Sequence, residues 1–194
     1  ALLFLDFDDV LCVSRTHSGR MLLMPEQPAD LYKRLFHAPA VSTLRTVLAE
    51  FNPSVVVTSS WLRFLDRTGC MQLLERTGLG VAAALLHEHW DAPQNVGDTR
   101  LTAIERWLQS YYRGESYVIV DDSESGSGLR GSTHDKLGRV VLCSVNVGLH
   151  DGHLPALRDA LRPMSPQWAG AETGMRAFDD HAYVRAAKRG RRKP

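Results

Sequence analysis

The sequence predicts an α/β fold, a mostly parallel sheet with helices on both faces. Two observations predict it. Short apolar runs at Leu2–Leu5, Val55–Val57 and Tyr117–Val120 each stop at polar residues, and segments with apolar residues at helical spacing lie between them. Strands covered on both faces read as continuous apolar runs, and helical crossovers supply that cover. With 194 residues, 44% of them apolar and 23% charged, the chain is about one globular domain and needs no disulfide or metal to fold.

Each element follows in order. Leu2 to Leu5 reads as a buried strand with Asp6-Phe7-Asp8-Asp9 directly after it. Ser18-Gly19, between the apolar stretches Val10 to Val13 and Met21 to Met24, predicts a small hairpin. Val41, Leu44, Leu48 and Phe51 predict a helix, which Asn52-Pro53-Ser54 breaks. Val55 to Val57 is the second strand and ends in Thr58-Ser59-Ser60. Trp61, Leu62 and Leu65 begin another helix, and Leu73 and Leu74 continue its pattern. Val81 to Leu86 reads as a strand rather than a helix. Asp98 is the expected N-cap of a helix bearing Leu101, Ile104, Leu108 and Tyr111 on one face. Tyr117 to Val120 is a third strand, ending in Asp121-Asp122. Residues 123–138, rich in Gly and Ser, read as a loop, and Arg139 to Val145 as a further strand. Leu154, Leu157 and Leu161 form a closing helix that Pro163 and Pro166 stop. Residues 1–162 are thus expected to form one domain, and residues 163–194 a loosely packed or disordered basic tail.

Composition narrows the function. The net charge is +1, but Arg185, Lys188, Arg189, Arg191, Arg192 and Lys193 crowd the last ten residues, and without them the remainder carries −5. The body as a whole is therefore no general polyanion binder, although a local basic groove is compatible with it. Cys12, Cys70 and Cys143 are isolated, which argues against a disulfide scaffold or zinc ribbon and for a reducing, cytoplasmic setting. No apolar run approaches the ~18 residues of a membrane span.

In open α/β sheets, ligands bind beyond the carboxyl ends of the strands. Three predicted strands end there in polar residues: Asp6, Asp8 and Asp9 after the first, Thr58, Ser59 and Ser60 after the second, Asp121 and Asp122 after the third. Clustered acids repel unless a cation compensates them. Hard carboxylates with little His or Cys among them suit Mg²⁺, which pairs with phosphate oxygens. Asp6 and Asp8, two apart on an extended chain, share a side, so one can attack as a nucleophile while the other handles a proton. Taken singly, a strand-end acid is most often a loop cap and Thr-Ser-Ser a turn; the order and placement of the whole set argue for a site.

Those residues resemble the haloacid dehalogenase (HAD) superfamily of phosphohydrolases. Leu3-Phe4-Leu5-Asp6-Phe7-Asp8-Asp9-Val10-Leu11 looks like its first motif, Val55-Val56-Val57-Thr58 its second, and Val118-Ile119-Val120-Asp121-Asp122 its fourth. The third, a basic residue opening the helix before the last strand, is matched by Arg100, where the family usually has Lys. Asp9 stands where Gly is frequent, and either alters the turn or adds an acid to the metal shell. The resemblance implies a Rossmann-like domain. It implies that Asp6 attacks phosphorus, that Asp8 protonates the leaving oxygen and then activates water, and that Thr58, or Ser59 in its place, and Arg100 bind phosphoryl oxygens. It further implies Mg²⁺ held by Asp6, the backbone carbonyl of Asp8 and Asp122, with Asp121 a ligand or a neighbouring acceptor. The stretch at residues 12–24 resembles the family's small flap. The 41 residues between Thr58 and Arg100 leave no room for a large cap domain. An open site admits large or chain-end substrates.

Thr58-Ser59-Ser60-Trp61, Ile104-Glu105-Arg106-Trp107-Leu108 and Val147-Gly148-Leu149 also resemble small HAD domains associated with RNA-repair proteins. That implies a phosphate on a nucleotide or on an RNA or DNA end as the substrate, with no membrane partner. The basic tail would then add sequence-independent attraction to a polyanion. The rivals are a phosphoacceptor signalling module and a binding protein that keeps the fold without catalysis. His87-Glu88-His89 lacks a third metal ligand and reads as polar surface, and Trp61 and Trp107 read as packing. No glycine-rich loop opens a helix after the first strand, which argues against a dinucleotide cofactor.

Overall fold

The computed structural model of the chain describes residues 1–13 and 18–163. The tail expected over residues 163–194 lies outside them, save its first residue. Five strands, β1 (Leu2–Leu5), β2 (Ser54–Val57), β3 (Leu86–Asp91), β4 (Tyr117–Asp122) and β5 (Val140–Cys143), form one sheet in the order β3-β2-β1-β4-β5. All four neighbouring pairs are parallel. The helices are α1 (Leu31–Leu35), α2 (Ala38–Phe51), α3 (Arg67–Arg76), α4 (Gly80–Ala84), α5 (Arg100–Tyr111), α6 (Thr133–Lys136) and α7 (Leu154–Leu161).

Alternation along the strands builds two cores. Leu3, Leu5, Val55, Val57, Val118 and Val120 face one way and pack with Leu31 and Leu35 of α1, Leu44 and Leu48 of α2, and Leu157 and Leu161 of α7. Leu2, Phe4, Val56, Tyr117 and Ile119 face the other way, against Ile104 and Trp107 of α5. Phe4 meets Trp107 edge-on, with ring centroids 5.1 Å apart. Helices therefore cover both faces, as the apolar strands require.

The strand order places the functional edge. From β1 the chain builds outward to β2 and β3, then crosses back to pair β4 with the other side of β1. The order reverses between β1 and β4, where a crevice opens beyond the strand ends. Both strands there end in acids.

Several local expectations are corrected. Residues 123–138 are not all loop, since Ser127–Leu129 is a 3₁₀ helix and Thr133–Lys136 is α6, and the helix expected from Trp61 is split into the 3₁₀ helix Ser60–Arg63 and α3. Val81 to Leu86 is not a strand: Gly80–Ala84 is helical, and the third strand in sequence is Leu86–Asp91. An edge strand half open to water tolerates the polar run His87-Glu88-His89, so the hydrophobic pattern missed it. The small hairpin flap is not formed as expected, because its second arm is a 3₁₀ helix, Gly19–Leu23. The chain between, residues 14–17, is outside the described residues. The N-cap of α5 is Thr99, whose hydroxyl accepts from the Thr102 amide at 3.1 Å; Asp98, one residue earlier, accepts from the Asn95 amide and pairs with Arg106 at 2.6 Å. Among the described residues there is no inserted cap domain, and no helix is long and apolar enough to cross a membrane.

Candidate active site

β1 delivers Asp6 and β4 delivers Asp121 and Asp122 to one point. The parallel register pairs Leu5 with Val120, so the residues that follow each strand lie side by side. One carboxylate oxygen from each of Asp6, Asp121 and Asp122 lies within 4.8 Å of the others, and all three residues are buried. Burial is the largest influence on Asp6 and pushes its carboxyl well above the usual range, with Arg100 pulling back and Asp121 adding to the rise. Burial likewise lifts Asp121 to about 6, against the pull of Arg100. Cys143, beside these acids, is a buried thiol raised to about 12, and so is an inert one.

Arg100 is the cation that meets this cluster. It is the first residue of α5 and is only 4% exposed. Its Nη2 lies 3.2 Å from Asp6 Oδ1 and its Nε 2.7 Å from Asp121 Oδ2. Both approaches are off the N–H directions, so neither Asp6 oxygen, nor Asp121 Oδ2, nor Arg100 Nε has a hydrogen-bond partner. Three buried acids against one guanidinium leave negative charge uncompensated, and acceptor oxygens stand without donors. A hard divalent cation answers both deficits, so the donor set fits one.

The two acids of the pair differ in their tethering. Asp122 Oδ1 accepts from the Glu124 and Ser125 amides at 2.7 and 3.0 Å, and its Oδ2 accepts from the Ser125 hydroxyl. Asp121 Oδ1 accepts from the Asp122 amide at 2.9 Å, which leaves Oδ2 to face Arg100. Gly126 closes this turn. A Cβ there would meet the Asp122 carbonyl oxygen at 2.6 Å and Leu142 Cδ2 at 2.9 Å.

Asp8 stands apart from this cluster at the rim. It is half-buried, and its Oδ2 accepts from the Trp61 indole N–H at 2.8 Å and from the Ser60 hydroxyl at 3.2 Å. Burial raises its carboxyl, and these two hydrogen bonds oppose the rise. Trp61 is the site residue that sequence reading assigned to packing. It does pack, against Phe7, Phe36 and Phe64, but its N–H also aims Asp8. The position directly after Thr58-Ser59-Ser60 was its only signal.

Thr58 directly follows β2 and is fully buried, with a hydroxyl that has no hydrogen-bond partner. The Ser59 oxygen accepts from the Trp61 amide and caps the 3₁₀ helix Ser60–Arg63, which leaves its O–H free to donate. Asp9 is not among the clustered acids. It takes a left-handed φ of 50° and accepts from the Asn146 amide at 2.6 Å, so it ties the first loop to residues 144–149. Leu149 donates from its amide to the Val10 carbonyl at 2.9 Å, and a Cβ on Gly148 would strike that same carbonyl at 2.8 Å. Close approach explains the glycine in Val147-Gly148-Leu149.

A family model described as the HAD domain in Swiss Army Knife RNA repair proteins matches residues 2–154. Neither the curated proteins nor the solved structures yield a match. The matched span runs from the first residue of β1 to the first residue of α7 and takes in every side chain at the strand-end crevice, so the chain belongs to this family of HAD domains.

Proposed function

We propose that the protein is a magnesium-dependent phosphatase that removes a phosphate monoester from a nucleotide or a nucleic-acid end. The observation that carries this reading is the pairing of a buried Asp6, whose oxygens accept no hydrogen bond, with Asp8 two residues on, tethered at the rim. An Asp6 oxygen attacks phosphorus, the bond from phosphorus to the ester oxygen breaks, and Asp8 gives its proton to the departing alcohol. Asp8, now a carboxylate, takes a proton from water. That water attacks phosphorus and releases inorganic phosphate with Asp6 restored. Arg100 offsets charge on the transferring phosphoryl oxygens, and the free Thr58 hydroxyl donates to one of them. Mg²⁺, held by Asp6, Asp122 and the Asp8 backbone carbonyl, with Asp121 beside them, would supply the Lewis-acid shielding that lets an anionic nucleophile meet an anionic phosphate.

The family description points to RNA repair, and this supports a nucleic-acid substrate for a site over which the described residues place no large cap. The test is phosphate release with Mg²⁺ from an aryl phosphate and from nucleotides, compared between the native protein and Asp6→Asn. The expected result is turnover in the native protein and a loss of about a thousandfold or more in the variant. Equal rates would remove Asp6 as nucleophile. A long-lived phosphorylated Asp6 without turnover would make the protein a phosphoacceptor module instead.

A further inference from the structure

A cavity opens at the rim, beside Asp8. It has a volume of about 340 Å³, and Asp8, Ser60 and Trp61 form part of its wall. Arg20, on the 3₁₀ helix Gly19–Leu23, and Arg63, on the 3₁₀ helix Ser60–Arg63, complete it together with Phe64. Gly19 seats the first of these helices on the second. A Cβ there would lie 2.5 Å from Trp61 Cε2, so only glycine lets Arg20 come up beside the indole.

The two arginines are set apart by the cavity they share. Most described arginines are engaged: Arg34 with Asp30, Arg106 with Asp98, Arg113 with Glu88 and Arg158 with Glu50, while Arg45 and Arg67 donate to carbonyls. Arg20 and Arg63 are exposed, take part in none of these pairs, and line one cavity whose only acid is Asp8. Two exposed guanidiniums facing one space repel each other, so an anion between them is favoured. A guanidinium presents the forked donors that match a phosphate.

The position of Asp8 says what that anion is joined to. Under the proposed phosphatase reading, Asp8 hands its proton to the departing alcohol, which must lie within hydrogen-bond reach of it. The alcohol therefore occupies this cavity. We propose that the cavity is the leaving-group subsite, and that Arg20 and Arg63 hold the phosphodiester adjacent to the phosphate being removed. The site then selects the end of a polynucleotide over a mononucleotide, which has no second phosphate to offer. Phe64, half-buried beside Arg63, presents a ring to the neighbouring base.

The test is kinetic and has a binding arm. Phosphate release is measured from a nucleoside monophosphate and from a trinucleotide with a terminal phosphate, in 3′ and 5′ versions. The native protein is expected to favour the trinucleotide in kcat/KM by about tenfold or more for the productive end. Arg20→Gln and Arg63→Gln are each expected to cut that ratio by about tenfold, the scale of one charge-assisted hydrogen bond. In the binding arm, a labelled, terminally phosphorylated oligonucleotide is titrated into Asp6→Asn protein with and without each arginine substitution. Each substitution should weaken binding and flatten the log–log salt slope by about 0.7, the value for one single-strand phosphate contact. A ratio and salt slope that both stay put overturn the subsite and leave the phosphatase reading intact. Weakened binding in a protein that releases no phosphate from any substrate upholds the anion subsite and overturns the phosphatase reading.

Discussion

Asp6 and Asp8 sit two residues apart in one motif, yet the structure treats them in opposite ways. Asp6 is 1% exposed, faces Arg100, and has no hydrogen-bond donor on either oxygen. Asp8 is half-buried, and both the indole of Trp61 and the hydroxyl of Ser60 donate to one of its oxygens. The floor is thus a place of excess, with three acids, one guanidinium and polar atoms left unpaired. The rim is a place of restraint, where one acid is aimed by neighbours and open to a cavity. Burial without donors makes a carboxylate costly to keep charged and responsive to a cation. Partial burial with donors fixes a proton carrier in one direction without isolating it from solvent. The difference assigns electrostatics to the floor and orientation to the rim.

The largest expected effect comes from breaking the floor. Arg100→Ala leaves Asp6, Asp121 and Asp122 buried against one another, which should cost about 3–5 kcal/mol of stability in urea unfolding without metal. An unchanged midpoint would show that the guanidinium does not hold the acids together. Next is the cation itself. At roughly a hundredfold excess over its Kd, Mg²⁺ should stabilise the native protein by about 3 kcal/mol in thermal melts, and Asp122→Asn should erase most of that gain. A gain of equal size in the variant would move the ion elsewhere.

Perturbing the rim should cost less and act differently. Gly19→Ala pushes a methyl into Trp61 and should destabilise the protein by about 1–3 kcal/mol, with phosphate release falling as the indole shifts from Asp8. Trp61→Phe keeps an aromatic ring but removes the N–H together with part of the buried indole. The expected result is a fall in kcat of about tenfold, ~1.4 kcal/mol on the barrier, with KM nearly unchanged, beside a loss of about 1–3 kcal/mol of stability from the space left. If kcat holds, Asp8 does not need the indole to aim it.

The smallest effect lies outside both regions and serves as a control. His134 shares a 2.7 Å hydrogen bond with the Tyr117 hydroxyl. Burial lowers its affinity for a proton, Arg139 adds to this, and Glu105 opposes it. Its folded pKa lies below the unfolded value near 6.5, so the unfolded chain binds the extra proton first. Stability should therefore decline as pH falls through 6.5 and level off below the folded pKa. His134→Gln should flatten that part of the pH–stability curve without altering the metal response of the floor.

Much of this arrangement was legible in the residues alone, and for identifiable reasons. The runs Leu2–Leu5, Val55–Val57 and Tyr117–Val120 are apolar on both faces, so their strand nature survives without tertiary information. Acids placed directly after two of them mark the functional edge, because strand ends in such sheets point at ligands. Arg100 was named through the family resemblance, as the basic residue opening the helix before β4, and its side chain does reach Asp6 and Asp121. What failed was local and short-ranged. Val81 to Ala84 carries no periodicity long enough to separate helix from strand, and His87-Glu88-His89 hides an edge strand behind polar residues.

Only the tertiary structure decided which hydroxyls are free and which side chain aims Asp8. Thr58 and Ser59 look alike in sequence, but the turn after β2 makes the Ser59 oxygen a cap acceptor and leaves the Thr58 hydroxyl without a partner. Trp61 looks like any core tryptophan until the 3₁₀ helix folds it against the loop after β1. The pairing of Arg20 with Arg63 across one cavity joins segments more than forty residues apart, and no local pattern records it. Periodicity and strand-end chemistry are written along the chain. Hydrogen-bond satisfaction and charge pairing are set by whatever the fold brings near, and so appear only once the chain has closed on itself.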